Sequence, residues 1–366
     1  ITNYIPALQT AASGVARFDH NPTTGESLGL LIEDSRTNLI LQSEDFSTTW
    51  IPTRAFITTN TIVSPSGTLT GDKLYENTTA SNTHYVAQSV SLTSGTTYTS
   101  TVYAKAGERT IIRFRTTGTG TWSDAYFNLS NGTVFSGTGT ITSVGNGWYR
   151  CSISGTSDLT GLNNFLVQLT DGSGSASYTG DGYSGVYIWG AQIEVGAFAT
   201  SYIPTVASQV TRSADAASMT GTNFSSWYSP AEGSFYVEMK TNWGASVTAP
   251  LTAAVLYGQD ANIRFNYISS GVSGINCFDG TTAGTLTTNV INIPTKIATA
   301  FSSTSNTAQA ALNGTINSSR TFTKTGIASS ISIGNFSGLA SINGTIKKVA
   351  YYPLAVTNAQ LQALTS

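Results

Sequence analysis

The sequence predicts an all-β protein, with two antiparallel β-sandwich (jelly-roll) domains in tandem and one short C-terminal helix. Three observations lead to this fold class. Only 10% of the residues are charged, against about 25% in an ordinary globular chain, so the helix formers Lys and Glu are scarce. Short runs of alternating apolar and polar side chains recur along the chain, as half-buried strands require. Turn-forming pairs such as Asn131-Gly132 and Asn146-Gly147 separate these runs.

The charge balance limits the classes of partner. The chain has 366 residues, with 17 Lys and Arg against 19 Asp and Glu, so its net charge is −2. Nucleic-acid affinity depends on many basic contacts to phosphate, and membrane-surface anchoring depends on polybasic segments. No run of about 18 apolar residues and no leader-like segment is present. We therefore expect neither nucleic acid nor a membrane as a partner.

The cysteines and histidines offer little chemistry. Cys151 and Cys277 are the only cysteines, and we interpret them as two separate buried thiols, with one long-range disulfide as the alternative. A zinc site or a thiol enzyme needs further ligands or a base, and only His20 and His84 are available. We expect both histidines to be ordinary loop residues.

A repeated motif marks two connectors. Tyr4-Ile5-Pro6 and Tyr202-Ile203-Pro204 are each followed by a short polar stretch and a Val-x-Arg segment. Proline fixes φ and favours extended geometry in the residue before it, so each copy predicts a stiff segment at the end of a domain. We therefore predict an N-terminal connector over residues 1–27, following a region upstream of the chain, and a linker over residues 201–223.

The first sandwich is predicted over residues 28–200, because strand-like runs and turn signals alternate throughout this range. Its clearest runs are Leu28–Ile32, Asn38–Leu41, Tyr98–Lys105, Thr110–Arg115, Trp148–Ile153, Phe165–Leu169 and Gly185–Glu194.

The second sandwich is predicted over residues 224–366 from the same pattern. Its clearest runs are Gly233–Met239, Asn262–Tyr267, Thr295–Phe301, Ala308–Gly314, Ser330–Gly334 and Gly344–Tyr352. The end of the chain differs, because Thr357 can cap a helix that carries Leu361 and Leu364.

Two parts of the first region resemble proteins of tailed bacteriophages. The run from Ala16 to Glu33, continuing through Ser35-Arg36-Thr37-Asn38-Leu39, resembles a segment common in phage virion and prophage tail proteins. In those proteins this segment precedes a "SEDF…W" strand. Here it is followed by Ser43–Phe46 and Trp50. The section closing with Gly190–Gly196 and Thr200–Thr205 is similar to their usual domain end, and this domain resembles the jelly roll of carbohydrate-binding modules. The resemblance implies a tail-fibre-type protein.

The last domain resembles the laminin-G/concanavalin-A-like group. The resemblance rests on the ending Ile342–Thr357, a strand followed by a Tyr-x-x-Pro-like turn, and on the helix-like T-x-A-Q-L-Q-A-L run that follows. The group binds many different ligands, so the resemblance implies a fold and not a function.

Calcium enters through the first resemblance, because related sandwiches often carry a structural ion. Glu44, Asp45 and Glu194 fall in the opening and closing strands, which lie side by side in the resembled jelly roll. Ca²⁺ takes six to eight oxygen ligands, which include carboxylates and carbonyls. The alternative is that no metal binds, which the small number of acidic residues favours.

No enzyme motif is present. The chain lacks the G-x-S-x-G, H-E-x-x-H and P-loop patterns and any cysteine pair at zinc spacing. Glycoside hydrolysis needs two carboxylates about 5–10 Å apart, and acidic residues here are mostly single. The neighbours in Glu33-Asp34 and Glu44-Asp45 would point to opposite faces of a strand. We expect a non-catalytic protein, with a glycosidase built from distant carboxylates as the alternative.

Binding sites for sugars combine a stacking aromatic ring with amide and carboxylate partners. Three clusters have this composition, and for each aromatic side chain packing in the core or on a sheet is the alternative. The candidate glycan-binding residues are Trp122, Asp124, Tyr126, Tyr178, Asp181, Tyr183, Trp243, Tyr257 and Asp260.

Together, these features and resemblances favour a non-catalytic virion-surface appendage, a tail fibre or spike, that binds host surface polysaccharide. Other virion proteins would be its neighbours, and trimeric assembly is what the phage resemblance implies. Two alternatives remain: a capsid decoration or head-fibre protein with a structural role, and a secreted bacterial carbohydrate-binding module.

Overall fold

A computed structural model describes residues 7–242, 253–258, 263–268, 274–278, 283–287, 293–317, 319–322, 329–336 and 340–366. Nearly all regular structure in these residues is β-strand, and every strand pairing among them is antiparallel. The predicted all-β sandwich class is confirmed, as is the short C-terminal helix. Among the described residues, no helix has the length and apolar character needed to cross a bilayer.

The strands up to Arg212 are β1 (Phe18–His20), β2 (Ser27–Ile32), β3 (Arg36–Asn38), β4 (Ile51–Thr53), β5 (Ala55–Val63), β6 (Leu69–Glu76), β7 (Tyr85–Leu92), β8 (Thr97–Ala106), β9 (Ile111–Thr117), β10 (Thr121–Asn128), β11 (Thr133–Gly137), β12 (Thr140–Gly145), β13 (Trp148–Thr156), β14 (Gly161–Leu169), β15 (Gly185–Val195) and β16 (Val210–Arg212).

The later elements in the described residues are β17 (Ala217–Thr220), α1 (Thr222–Ser225), β18 (Glu232–Thr241), β19 (Ala253–Gly258), β20 (Ile263–Ile268), β21 (Gly274–Phe278), β22 (Ala283–Thr287), β23 (Pro294–Ser302), β24 (Thr307–Leu312), β25 (Thr315–Ile316), β26 (Arg320–Thr321), β27 (Ser330–Ile333), β28 (Asn335–Phe336), β29 (Ala340–Ser341), β30 (Gly344–Tyr352) and α2 (Asn358–Thr365).

The first compact unit comprises the described residues of Ile1–Thr10, Asn21–Glu26 and Arg36–Arg212. It contains two six-stranded sheets: sheet 1, in the order β11-β10-β9-β14-β7-β4, and sheet 2, in the order β12-β13-β8-β15-β6-β5. Phe114 and Phe165 of sheet 1 share one buried apolar core with Val102 and Ile188 of sheet 2. This packing makes the unit a β-sandwich.

The outer surface of sheet 2 is largely closed by aromatic side chains. Tyr103, Trp148 and Trp189 form a second buried cluster on the side of sheet 2 that faces away from the core. The indole Nε1 of Trp148 donates to the Val63 carbonyl (3.0 Å), and that of Trp189 donates to Thr70 Oγ1 (3.1 Å). The two tryptophans therefore fill a structural layer on this side of sheet 2.

The second compact unit comprises the described residues of Ala11–His20, Ser27–Ser35 and Ser213–Ser366. Its first sheet runs β1-β2-β30-β18-β23-β24-β25, and its second runs β17-β27-β19-β20-β21-β22 in the described residues. The predicted boundary at residue 28 differs from this division, since β2 pairs with β30 and not with a strand of the first sandwich.

The physical basis of this difference is a set of contacts between distant parts of the chain. Arg17 donates from Nε to Asp215 (3.0 Å) and from Nη2 to Glu33 (2.9 Å) and to Asp215. The backbone N–H of Glu33 also donates to Asp215 (2.8 Å). The arginine after the first connector motif is thus ion-paired with the aspartate after the second, and this pairing places the predicted N-terminal connector partly within the second unit.

The C-terminal helix α2 begins with the predicted cap. Thr357 Oγ1 accepts a hydrogen bond from the backbone N–H of Gln360, and the Gln360 side chain accepts from the Thr357 backbone, which completes a capping box. Leu361 is fully buried against Tyr236 and Ala298 of the sheet that contains β30. The helix therefore covers one face of that sheet.

Candidate functional site

Sheet 1 presents polar and aromatic side chains on the side that faces away from the core. Because side chains alternate along a strand, residues in register share one face. One cross-strand row is Asp124, Arg115, Leu166 and Ala87, and the next is Tyr126, Arg113, Gln168 and Tyr85. We call this surface the open face, formed by Tyr85, Ala87, Ser89, Arg113, Arg115, Asp124, Tyr126, Leu162, Asn164, Leu166 and Gln168.

Two of the predicted glycan-binding residues lie together on the open face. Asp124 accepts two hydrogen bonds from Arg113 Nε (2.9 and 3.2 Å) and one from Arg113 Nη2. The same guanidinium lies 5.2 Å from the centre of the Tyr126 ring, within the range of a cation–π contact. These contacts hold a carboxylate, a guanidinium and an aromatic ring in a fixed arrangement on two neighbouring strands.

The open face is bounded at one end by the segment that follows β14. Gln168 Nε2 donates to the Ala176 carbonyl (3.0 Å), so this segment covers the Gln168 side chain. A side chain at Gly174 would meet the ring of Phe135 on the edge strand β11, which shows how closely the segment approaches that edge. The segment thus forms a wall across the end of the sheet.

At the β4 edge, the open face continues into a shallow cleft. Its volume is about 250 Å³, and its lining includes Ile51, Ser89 and Ser91. Ser89 Oγ donates to Asn164 Oδ1 (2.8 Å), which links the cleft to the middle of the sheet. Hydroxyl, amide and apolar groups therefore run continuously from the cleft towards Arg115.

Trp122, although predicted beside Asp124 and Tyr126, has a different environment. The pairing of β10 with β9 is irregular between Thr121 and Ser123, so strict alternation fails at Trp122. Its ring packs against the sandwich core near Tyr98, and its Nε1 donates to the buried Asn163 (3.0 Å). The structure therefore places Trp122 in the packing at the end of the sandwich.

Tyr178 and Asp181 hold the wall segment in place. The fully buried Glu76 accepts hydrogen bonds from Tyr178 Oη (2.6 Å), from the Asp181 backbone N–H (3.0 Å) and from Nε and Nη2 of Arg109. Burial raises the pKa of Tyr178, and the hydrogen bond to Glu76 raises that pKa further.

The Asp181 carboxylate is itself engaged in a tight turn. It accepts hydrogen bonds from the backbone N–H groups of Tyr183 (2.8 Å) and Ser184 (2.7 Å) and from Ser184 Oγ (2.6 Å). Burial alone would raise the pKa of Asp181, but these hydrogen bonds outweigh it and hold the pKa well below its usual range. The carboxylate therefore stabilises the turn.

Tyr183 lies on a separate exposed surface. Its side chain is 64% exposed, and Lys73 Nζ lies 4.4 Å from the ring centre. Phe56 and Tyr75, also on this side of the first unit, have ring centres 5.4 Å apart. This second aromatic surface provides a comparison for the open face.

The three predicted calcium ligands each have protein partners. Glu194 accepts from Thr200 N (2.8 Å) and Thr200 Oγ1 (2.6 Å) and from Gln192 (2.8 Å). Asp45 accepts from Ser47 and Thr48 within its own turn, and Glu44 accepts from Tyr202 Oη (3.2 Å). In the described residues no three His, Cys, Asp or Glu side chains come together as a metal site, so the structure does not group these three.

The remaining predicted residues lie outside this region. Trp243 and Asp260 are outside the described residues, and Tyr257 lies on β19 with its side chain outside them. Cys151 is a buried free thiol in the core of the first unit, and burial raises its pKa. Its partner candidate Cys277 lies on β21, and its side chain too is outside the described residues.

The sequence prediction missed Arg113, Arg115 and Tyr85. Arg113 and Arg115 stand two residues apart in a strand whose other positions, Ile112 and Phe114, are fully buried. This alternation in the sequence could have placed both arginines on one outer face. Tyr85 carried no comparable signal, because its place on that face depends on its register with Gln168 of β14.

A scan against protein-family models finds no match, and neither does a search of the curated proteins. Several solved structures are similar. The CBM40 of the Ruminococcus gnavus IT-sialidase is 15% identical with a TM-score of 0.31, and the match covers 39% of this chain and 88% of that one. A Bacteroides ovatus protein that has been proposed to bind carbohydrate is 10% identical with a TM-score of 0.30, covering 78% and 80%. Domains LG4-5 of the mouse laminin α1 chain are 10% identical with a TM-score of 0.27, covering 76% and 90%. At these identities the likeness is one of fold alone.

Proposed function

We propose that the chain binds carbohydrate on the open face of sheet 1 and does so without catalysis. The observation that carries the proposal is the arrangement of Tyr126, Arg113 and Asp124, held together by direct contacts on a face that the core does not use. An aromatic ring offers a surface to the CH groups of a sugar, while guanidinium, carboxylate and amide groups serve its hydroxyls.

The choice of this face follows from the engagement of the other candidates. Over β8, β13 and β15, the outer face of sheet 2 is filled by the buried rings of Tyr103, Trp148 and Trp189. Trp122 donates a hydrogen bond to Asn163, and Tyr178 donates one to Glu76. The Asp181 carboxylate accepts hydrogen bonds within its own turn. By contrast, Asn164 and Leu162 on the open face are exposed. The proposal therefore retains Asp124 and Tyr126 among the predicted residues and adds Tyr85, Arg113, Arg115 and Asn164.

The absence of catalysis is part of the proposal. Asp124 is neutralised by Arg113, and Asp171 accepts from Ser173 and Ser175 in a turn of its own. An inverting or retaining glycosidase needs two carboxylates that face one bond of the sugar. On the open face Asp124 is the one carboxylate, which supports binding without cleavage.

For the biological setting, we propose a surface appendage of a phage virion that attaches to host polysaccharide. The support is the resemblance of the Ala16–Leu39 segment and of the Gly190–Thr205 ending to phage tail proteins. In such an appendage, contact with other virion proteins and trimeric assembly would multiply weak sugar contacts through avidity. A secreted bacterial carbohydrate-binding module would use the same face, and a capsid decoration protein would leave it without a sugar ligand.

The proposal is tested with the purified chain on a glycan array, together with Tyr126→Ala and Tyr183→Ala. We expect Tyr126→Ala to weaken glycan binding roughly fivefold to tenfold, since a stacking aromatic surface is lost. Tyr183→Ala, on the second aromatic surface, should bind as the parent chain does. Melting temperatures of both variants show whether the fold is retained.

The opposite pattern, with loss only in Tyr183→Ala, would move the site to the second aromatic surface. Failure of the parent chain to bind any glycan, and to compete with intact particles for adsorption to host cells, would favour the structural role instead.

A further inference from the structure

Arg115 is a charged side chain on the open face that has no carboxylate partner in the described part of the chain. Its Nη2 donates to Thr121 Oγ1 (2.8 Å). Its Nε is buried and has no hydrogen-bond acceptor from the protein. Its Nη1 is not buried, and it donates to no protein group. The neighbouring Arg113 provides the contrast, because it binds the carboxylate of Asp124 through Nε and Nη2.

The position of Arg115 in the sheet explains why it stays unpaired. Its cross-strand neighbours are Asp124 on β10 and Leu166 on β14. The Asp124 carboxylate is already engaged by Arg113, and Leu166 offers only an apolar surface. The positive charge of Arg115 therefore lies between the Asp124 carboxylate, which is already ion-paired with Arg113, and the apolar side chain of Leu166.

The charge around Arg115 is positive, although the whole chain carries a net charge of −2. Arg54 lies beside Tyr85 and donates to the carbonyl and Oγ1 of Thr83, two uncharged acceptors (2.6 and 2.8 Å). Three guanidinium groups thus border the open face, against the one carboxylate of Asp124. Burial lowers the pKa of Arg115, and the charge of Arg113 lowers it further, so a bound anion would relieve an unfavourable environment.

Resting on the proposed function, we infer that the sugar bound on the open face is acidic and that its carboxylate binds the Nη1 and Nη2 groups of Arg115. The planar guanidinium matches a planar carboxylate with two parallel hydrogen bonds, a geometry that a hydroxyl does not use. A sugar ring held in this way lies over Leu166, with Asn164 and Tyr126 in reach of its other groups.

The experiment uses the purified full chain on an array that pairs each carboxyl-bearing glycan with its carboxyl-reduced, neutral form and includes sulfated glycans. We expect the chain to bind carboxyl-bearing glycans and to lose roughly tenfold or more in affinity when the carboxyl group is reduced. Arg115→Gln should cause a loss of the same size. Arg115→Lys, which keeps the charge without the planar fork, should lose less than Arg115→Gln.

Arg150→Gln is the matched control. Arg150 lies on the outer side of sheet 2 and donates to Thr101, just as Arg115 donates to Thr121. This variant should bind as the parent chain does. Melting of each variant separates a loss of binding from a loss of fold, and Arg115→Lys keeps the test decisive should Arg115→Gln fold poorly.

The outcomes distinguish this inference from the proposed function. Binding of neutral glycans that is sensitive to Tyr126→Ala but unaffected by Arg115→Gln would overturn the acidic ligand and leave the binding face intact. Binding confined to sulfated glycans would overturn the carboxylate. No binding to any member of the array would overturn both.

Discussion

At the scale of single residues, the carboxylate of Glu76 is a polar group of the first unit whose contribution to stability can be tested. It is fully buried and accepts hydrogen bonds from Arg109, Tyr178 and the backbone of Asp181. Glu76→Gln removes the charge and leaves the partly buried Arg109 with the more distant carboxylate of Asp181 (3.8 Å) as its ion-pair partner. We expect the free energy of unfolding to fall by about 3 kcal/mol, measured by urea denaturation.

Glu108→Gln is the matched control for Glu76→Gln. Glu108 pairs with Lys73 at 3.0 Å near the surface, where solvent screens the pair. We expect a change of at most about 1 kcal/mol. Equal losses in the two variants would show that burial of the Glu76 network does not set its contribution.

The residue scale is also where sequence reasoning succeeded least. Asp124 and Tyr126 were predicted together from the composition of their cluster, and they share one face of sheet 1. Trp122 does not follow the alternation of β10, because the pairing of β10 with β9 is irregular beside it. The sequence does not indicate this irregularity. The Tyr178 hydroxyl donates to Glu76, which is 102 residues away in the sequence. Such partners are set by tertiary packing, and no local pattern predicts them.

At the scale of elements, helix α2 is stabilised at its start by the capping box of Thr357 and Gln360. Thr357→Ala leaves the backbone N–H of Gln360 without its acceptor. We expect a loss of about 1 kcal/mol in the stability of the second unit, measured by thermal or urea unfolding. Asn358→Ala, at the exposed next position, should change stability little, and a loss as large as that of Thr357→Ala would contradict the role of the cap.

The elements themselves were largely predictable, because alternation and turn residues act locally. The runs Tyr98–Lys105 and Gly185–Glu194 fall within strands β8 and β15. Which strands pair is a different matter, because hydrogen bonding across a sheet depends on chain segments far apart. The run Leu28–Ile32 was correctly expected to be a strand, yet its partner is β30 at the other end of the chain.

At the scale of the whole molecule, the chain passes between its two compact units more than once, so the sequence order of segments is not the order of domains. The N-terminal strands β1 and β2 join a sheet whose other strands begin at Glu232 or later in the chain. The repeated connector motif predicted two similar domain ends. Instead, the two copies contribute Arg17 and Asp215 to one ion-paired cluster.

Gly29 tests whether the second unit depends on this N-terminal strand. Its φ is +106°, and a Cβ atom there would lie 2.2 Å from the Ile346 carbonyl oxygen on β30. Gly29→Ala would therefore force β2 away from β30, with an expected loss of roughly 3 kcal/mol or more. Gly14→Ala is the matched control, since Gly14 also has a positive φ (+80°) but has nothing within 4 Å of the added atom. We expect Gly14→Ala to cost about 1 kcal/mol from backbone strain alone.

Hydrogen exchange locates the effect of the substitution. In Gly29→Ala, amide protection should fall along β30, where β2 pairs with it, while β8 in the first unit keeps the protection of the parent chain. Gly14→Ala should leave the protection of β30 close to that of the parent. Unchanged protection of β30 in Gly29→Ala would show that the second unit folds without the N-terminal strand, and the contacts between β2 and β30 would then contribute little to its stability.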